Sequence, residues 1–183
     1  MDNKFTQTYR PTIGADFMVK TVATDDFHGT MQIWDTAGQE RFHVLSVSFF
    51  RGSDGCILVF DVNNAKSFSR LDYWHNELLT HVKPSNPEDF PFVLVGTKKD
   101  KEDSREVSRE SIEQWCRSKG GIPYFETSAR VASSGSEEAK EESKIIEDAF
   151  MCATRGCCQS NDNPDEEIDA EPKHGNKNDC IIS

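Results

Sequence analysis

The chain has 183 residues, 36% of them hydrophobic and 29% charged, with a formal net charge of -11. That length can build one domain with a real core, and no apolar run approaches a membrane span; the longest, residues 56–60, is strand-sized. The acidic balance argues against non-specific nucleic-acid binding and against a polybasic membrane contact, both of which need Lys and Arg against phosphates.

No apolar segment follows Met1-Asp2-Asn3-Lys4, so no signal peptide is expected. The chain is expected in the cytosol, with reduced cysteines. Cys56, Cys116, Cys152, Cys157, Cys158 and Cys180 form neither a C-x2-C pair nor a zinc spacing. Residues 1–14 are polar and irregular. Residues 16–24 predict a strand with Phe17, Val19 and Val22 at apolar positions, and Asp25, Asp26, His28 and Gly29 supply turn chemistry. Met31 and Ile33 then alternate with Gln32, completing a hairpin. Residues 35–43 read as a loop.

Residues 55–61 form a continuous apolar run, as in a strand buried on both faces of a parallel sheet. A helical pattern begins at Ser67 with Phe68, Leu71, Trp74, Leu78 and Leu79, and Pro84-Ser85-Asn86-Pro87 breaks it. Residues 90–95 predict a second buried strand. Ser108 is placed to cap a helix carrying Ile112, Trp115 and Cys116, which stops at Gly120-Gly121. Residues 122–125 predict a short third strand. Strands alternating with helices predict α/β architecture. Residues 131–144, rich in Ser and Glu, read as a loop with a charged first helical turn. Ile145, Ile146, Ala149 and Phe150 then mark one helical stripe, expected to end at Gly156. From residue 159 onward seven acids (Asp162, Asp165, Glu166, Glu167, Asp169, Glu171, Asp179) face two lysines (Lys173, Lys177). Residues 157–183 therefore read as a disordered acidic tail behind a domain of residues 1–156.

A carboxylate at a strand end followed by a glycine in a loop suits a magnesium-nucleotide site. Asp35 could hold a metal-bound water, the Gly38 N–H could approach a phosphate, and Gln39 could orient a water for attack. Asp-x-x-Gly by itself also occurs in ordinary turns. The full run Trp34-Asp35-Thr36-Ala37-Gly38-Gln39-Glu40 resembles switch II of the small GTPases, and Tyr9-Arg10-Pro11-Thr12-Ile13-Gly14-Ala15-Asp16-Phe17 resembles switch I of Rab proteins, especially the late-endosomal and lysosomal subgroup. Phe49-Phe50-Arg51-Gly52-Ser53-Asp54 and Asp61-Val62 continue the match.

The resemblance implies a fold, ligands and roles. The fold would be α/β, a P-loop NTPase-type, mostly parallel sheet with helices on both faces. GTP/GDP and Mg2+ would be bound. Thr12 would hold magnesium through its hydroxyl and sense the γ-phosphate through its backbone, with Asp35 as its partner at the metal. Gly96-Thr97-Lys98-Lys99-Asp100 resembles the base-recognition loop. There Asp100 would accept two hydrogen bonds from guanine, which adenine cannot supply, and the Lys98 alkyl chain would cover the base. Rab proteins usually carry asparagine where Thr97 stands. Thr127-Ser128-Ala129-Arg130 resembles the last guanine loop; the Ala129 N–H would meet the base oxygen, and lysine is usual where Arg130 stands. Phe17, Trp34 and Phe49 occupy the positions of the Rab effector-binding aromatic triad, with core packing as the alternative for each. Cys180-Ile181-Ile182-Ser183 fits a farnesylation box, although Rab proteins more often end in two geranylgeranylated cysteines. A single lipid anchors weakly, and an acidic tail gives it little help. Cys157-Cys158 could be acylated or could be a helix-end thiol pair without a role.

The implied function is a GTP-hydrolysing switch of vesicular and endosomal traffic. It would work in the cytosol and on endosomal membranes with effectors, an exchange factor, a GTPase-activating protein and a prenyltransferase. No G-x-x-x-x-G-K-[ST] occurs in the chain, and only 11 residues precede Thr12, where a strand, loop and helix need roughly 30. The family's first strand, phosphate loop and first helix are therefore read as absent, as in an incomplete gene product, a degenerate protein, or a chain completed by another. In the family that strand lies centrally, between the strand carrying Asp35 and residues 55–61. Its loss would leave two strand edges unpaired or paired with each other, with much weakened nucleotide binding. A non-catalytic scaffold that keeps the aromatic face is the competing reading.

Overall fold

The computed structural model describes residues 5–6, 10–23, 28–39, 48–161 and 179–182. Six strands and five helices follow in chain order among them: β1 (Ala15–Ala23), β2 (His28–Thr36), β3 (Cys56–Asp61), α1 (Ala65–Ser69), α2 (Leu71–Val82), β4 (Phe92–Thr97), α3 (Arg109–Ser118), β5 (Tyr124–Thr127), α4 (Ala129–Ala132), α5 (Glu137–Asn161) and β6 (Asp179–Ile182). A 3-10 turn, Glu102–Ser104, precedes α3.

The hairpin forms as its alternation predicts. β1 and β2 pair antiparallel, with Phe17 opposite Trp34 and Asp16 opposite Asp35. β3, β4 and β5 form a parallel ladder, Leu58 opposite Leu94 and Leu94 opposite Tyr124. The fold is thus α/β with a parallel core and one antiparallel pair, its strands divided between the sheets β1-β2-β6 and β3-β4-β5.

β4 and β5 end two residues later than the apolar runs that predict them. Polar Thr97 and Thr127 are drawn into the ladder by their register with Asp61 and with each other, and the Thr97 hydroxyl donates to the Phe60 carbonyl at 2.8 Å. Helix starts follow cap chemistry. Asn64 Oδ1 accepts the Lys66 and Ser67 N–H groups, and Ser108 Oγ accepts the Ser111 N–H at 3.2 Å. Ser108→Ala is expected to cost about 1 kcal/mol, readable as a lower urea midpoint at unchanged m-value.

Helices cover both sides of the β3-β4-β5 sheet. On one side Leu58, Phe60, Leu94, Leu71, Leu78, Ile112 and Cys116 make the larger core. On the other, α5 presents Ala149, Ala153 and Cys157 to Val93 and Val95. The same α5 face also packs against Met31 and Ile33 of β2, where the Thr154 hydroxyl lies 3.7 Å from the Met31 sulfur. One helix therefore bridges two sheets that share no ladder.

Three expectations are revised. Residues 55–61 are not buried on both faces, since Val59 is 59% exposed. Residues 131–144 are mostly helical, with Ala139 and Glu142 buried. Gly156 does not end its helix, which runs on to Asn161; a Cβ there would lie 2.8 Å from the Pro91 Cβ, so glycine serves close packing. Buried Cys157 belongs to this packing as well. The tail divides: residues 157–161 are helical, residues 162–178 lie outside the described residues, and 179–182 form β6. β2 and β3 do not pair with each other; the β2 edge opposite β1 carries β6 instead.

Candidate functional site

Asp61, the 97–100 loop and the 127–130 loop all lie at the C-terminal ends of parallel strands, where open α/β sheets place ligand sites. A larger groove, about 1130 Å³, lies at the opposite strand ends around Phe92, Gly121 and Pro123, away from every predicted site residue.

The two switch segments meet. The Thr12 hydroxyl donates to Asp35 Oδ2 at 3.3 Å, bringing both predicted cation ligands together. The Ala37 N–H donates to the Gly14 carbonyl at 2.9 Å, in a turn where Gly14 takes φ +81. Asp35 is exposed, yet close packing on one side raises its pKa; the Thr12 hydroxyl opposes the rise and the Asp16 carboxylate across the ladder adds to it. A divalent cation would relieve that pairing of like charges. Among the described residues no group of three or more His, Cys, Asp or Glu side chains could hold a metal, so a cation here would need phosphate or water oxygens beside Thr12 and Asp35. Gly38 is exposed, with nothing among the described residues within 4 Å of an added Cβ. Packing does not demand glycine there, whereas a close ligand would. Gln39 follows it, half-buried; Tyr9 and Glu40 lie outside the described residues.

On the base side, Ser128 Oγ donates to Asp100 Oδ1 at 2.6 Å while Arg130 reaches Asp100 Oδ2 at 3.6 Å. Lys98, at φ +64, places its ammonium 2.6 Å from Asp61 Oδ2. Burial would raise the Asp61 pKa, but Lys98 and the Asn63 N–H outweigh it and hold the carboxyl below its usual value. Asn63 also donates to the Lys98 carbonyl at 2.9 Å, fixing the loop. Ala129 opens α4 and is exposed.

Sequence reasoning misses Glu142. This carboxylate, 8% exposed, accepts from the Thr127 hydroxyl and the Ser128 N–H, each at 2.9 Å, and pairs with Lys99 at 2.5 Å. It clamps the two base-side loops together from behind. Burial pushes its pKa up; Lys99, the Ser128 N–H and the Thr127 hydroxyl together bring it below the ordinary glutamate value. The signal that could have found it is its place on the helical stripe, three residues after Ala139 and three and four before Ile145 and Ile146.

The predicted aromatic triad is contiguous. Phe17 and Trp34 centroids lie 4.6 Å apart and Trp34 and Phe49 centroids 4.9 Å apart, with Phe17 45% exposed. Cys180 lies in β6, opposite Met31.

The described residues fit a guanine nucleotide on its base side and its cation side, while the phosphate side has no counterpart motif in this chain. Fold and site together define the class of small GTPase switches. The Ras family model matches residues 1–148. The chain is 49% identical over 162 residues to the Ras-related protein RABG3f of Arabidopsis thaliana, covering 87% of this chain and 73% of the relative. It is 47% identical over 170 residues to the Ras-related protein Rab7 of Cenchrus ciliaris, covering 92% and 76%. It is 55% identical over 133 residues to the Ypt/Rab-type GTPase ypt7 of Pyricularia oryzae, covering 72% and 65%. The chain belongs to the Ras family of small GTPases, within its Rab branch. Guanine-nucleotide and magnesium binding are general properties of that family.

Proposed function

We infer that this chain is a Rab-like small GTPase of vesicular and endosomal membrane traffic. The observation that carries this reading is the joining of both switch segments, Thr12 to Asp35 and Gly14 to Ala37, directly beside the contiguous rings of Phe17, Trp34 and Phe49. A change at the cation would pass through β1 and β2 to that aromatic face, so the surface offered to effectors would follow the nucleotide state.

GTP with Mg2+ would supply the scissile phosphate when bound. Thr12, through its hydroxyl, and Asp35 would hold the cation side. The Gly38 N–H would approach a phosphate, and Gln39 would orient the attacking water. Asp100 accepts from the guanine edge, Ser128 holds Asp100 in place, and the Ala129 N–H faces the base oxygen. Lys98 covers the base, with Thr97 tying its loop to β3 and Arg130 flanking the carboxylate. An exchange factor, a GTPase-activating protein and effectors are the partner classes this reading requires.

One observation favours weak turnover by this chain acting alone: no G-x-x-x-x-G-K-[ST] occurs among its 183 residues. The non-catalytic binding protein is the second reading it supports. No described helix is long and apolar enough to cross a membrane, and Cys180 is assigned as the lipid-bearing residue of a peripheral contact. Fluorescently tagged chain is expected on endosomal membranes, with Cys180→Ser dispersing it and mass spectrometry finding the lipid on the C-terminal peptide. Uniform distribution of both forms would overturn the membrane-traffic reading.

A further inference from the structure

Asp100, the residue assigned to the guanine edge, is held by Ser128, whose hydroxyl donates to Asp100 Oδ1 at 2.6 Å. Ser128 is fully buried, and its Oγ accepts the Val131 N–H at 3.2 Å, the capping bond of α4. Its own N–H donates to Glu142 Oε2 at 2.9 Å, and the same oxygen accepts the Thr127 hydroxyl. The other oxygen, Oε1, meets the ammonium of Lys99, the residue before Asp100. One carboxylate therefore fixes the neighbour of Asp100 in one loop and the hydrogen-bond partner of Asp100 in the other. The backbone link between the loops, from the Lys99 N–H to the Thr127 carbonyl, is 3.4 Å and correspondingly weak. Thr97 lies opposite Thr127 in the ladder, but its hydroxyl donates to the Phe60 carbonyl of β3 instead. Glu142 stands on a packed stem: Ala139, one turn earlier on α5, is buried, and α5 lies against α4 and β5.

We propose that Glu142 is a positioning residue for base discrimination: through Ser128 and Lys99 it fixes Asp100 where the N1–H and 2-amino group of a guanine would meet it. This rests on the reading of Asp100 as the guanine acceptor. Every bond in the chain from Glu142 to Asp100 joins protein atoms, so the acceptor is set in place by the fold and binding does not have to supply that ordering. The bonds to the Glu142 carboxylate are charge-assisted, the stronger class of hydrogen bond. Accepting two donors at once constrains the orientation of a carboxylate more than accepting one. A loosened Asp100 therefore loses guanine more than hypoxanthine, which has the N1–H but no 2-amino group. This role is separate from the clamp's contribution to stability. It is a difference between two ligands of one folded protein, and a change in folding free energy alone weakens both ligands alike.

The test is titration of the full chain with guanosine diphosphate and with inosine diphosphate, which lacks only the 2-amino group, in the presence of Mg2+ and at a temperature where circular dichroism shows each variant folded. The readout is the ratio of the two affinities, in which the phosphate contribution cancels. Glu142→Gln keeps an amide oxygen to accept from Thr127 and Ser128 but cannot pair with Lys99; Lys99→Ala removes the same tie from its more exposed end. Each is expected to lower the preference for the guanine nucleotide at least about fivefold, the order of one hydrogen bond. The double variant should be no worse than either single one, because both substitutions break one tie. An unchanged ratio in both variants, even with both ligands bound more weakly, overturns the positioning role and leaves Glu142 a structural clamp. Additive losses in the double variant overturn the assignment of the effect to the Lys99–Glu142 tie. A wild-type chain that binds neither ligand, or both alike, overturns the guanine reading of Asp100, and the positioning role falls with it.

Discussion

Glu142→Ala is expected to destabilise the fold by about 3 kcal/mol, the lower end of the range for breaking a buried charge pair. The lower end applies because Lys99, 32% exposed, can turn to water once its partner is gone. The Ser128 N–H and the Thr127 hydroxyl cannot, because both residues are buried, and an unsatisfied buried donor carries its full desolvation cost. Thermal unfolding should show the loss as a fall in Tm of about 10 °C. The same carboxylate sets an acid limit. Its pKa is depressed in the fold, so its contribution is complete above the unfolded glutamate value of about 4.3 and disappears as pH falls through the lower folded value. Stability of the wild type should therefore drop between those two values, and Glu142→Gln should flatten that part of the profile. A variant with unchanged Tm and an unchanged acid limb would show that Glu142 does not clamp the base-side loops.

Gly96→Ala is expected to cost about 2–3 kcal/mol by overpacking. A Cβ there would lie 2.6 Å from the Tyr124 hydroxyl, 2.9 Å from Val62 Cγ1 and 3.3 Å from the Phe60 ring. Val62 and Phe60 are buried, so neither yields cheaply. The strain falls one residue before Thr97, whose bond to the Phe60 carbonyl joins β4 to β3. Denaturant unfolding should give a lower midpoint, and the backbone amides of Thr97, Lys98 and Asp100 should shift in NMR spectra. Wild-type stability in Gly96→Ala would mean that β4 and β5 are packed less tightly than their contacts indicate.

Local chemistry was legible where one residue decides it. Ser108 caps as its position predicts, the alternation around Phe17 and Ile33 builds the hairpin, and the spacing of Ile112 and Cys116 marks the buried face of α3. Residues singled out by motif do meet across long stretches of chain, Thr12 with Asp35 and Ser128 with Asp100. What depends on distant packing was not legible. Gly156 carries a stop signal for a helix, yet the approach of Pro91 explains it and the helix continues. Glu142 stands in a stretch of acids that composition alone assigns to solvent, and only the fold turns it inward against Thr127. The exposure of Val59 follows from what does not cover β3, which periodicity along β3 cannot encode. Nor does an acidic tail announce that its last residues can pair with β2.

On the proposed reading Asp100 and Ala129 would meet the guanine base and Thr12 and Asp35 the cation, and no G-x-x-x-x-G-K-[ST] stands among the 183 residues to hold the phosphates. Calorimetric titration of the 183-residue chain with guanosine, GDP and GTP in the presence of Mg2+ tests it most directly. Guanosine and GTP should bind within about tenfold of each other, a difference of roughly 1.4 kcal/mol or less, and both with Kd weaker than about 1 μM, which corresponds to about -8.2 kcal/mol. GTP binding at micromolar Kd or tighter, with guanosine binding undetectable, would contradict the account, because the phosphates would then be held by residues of this chain.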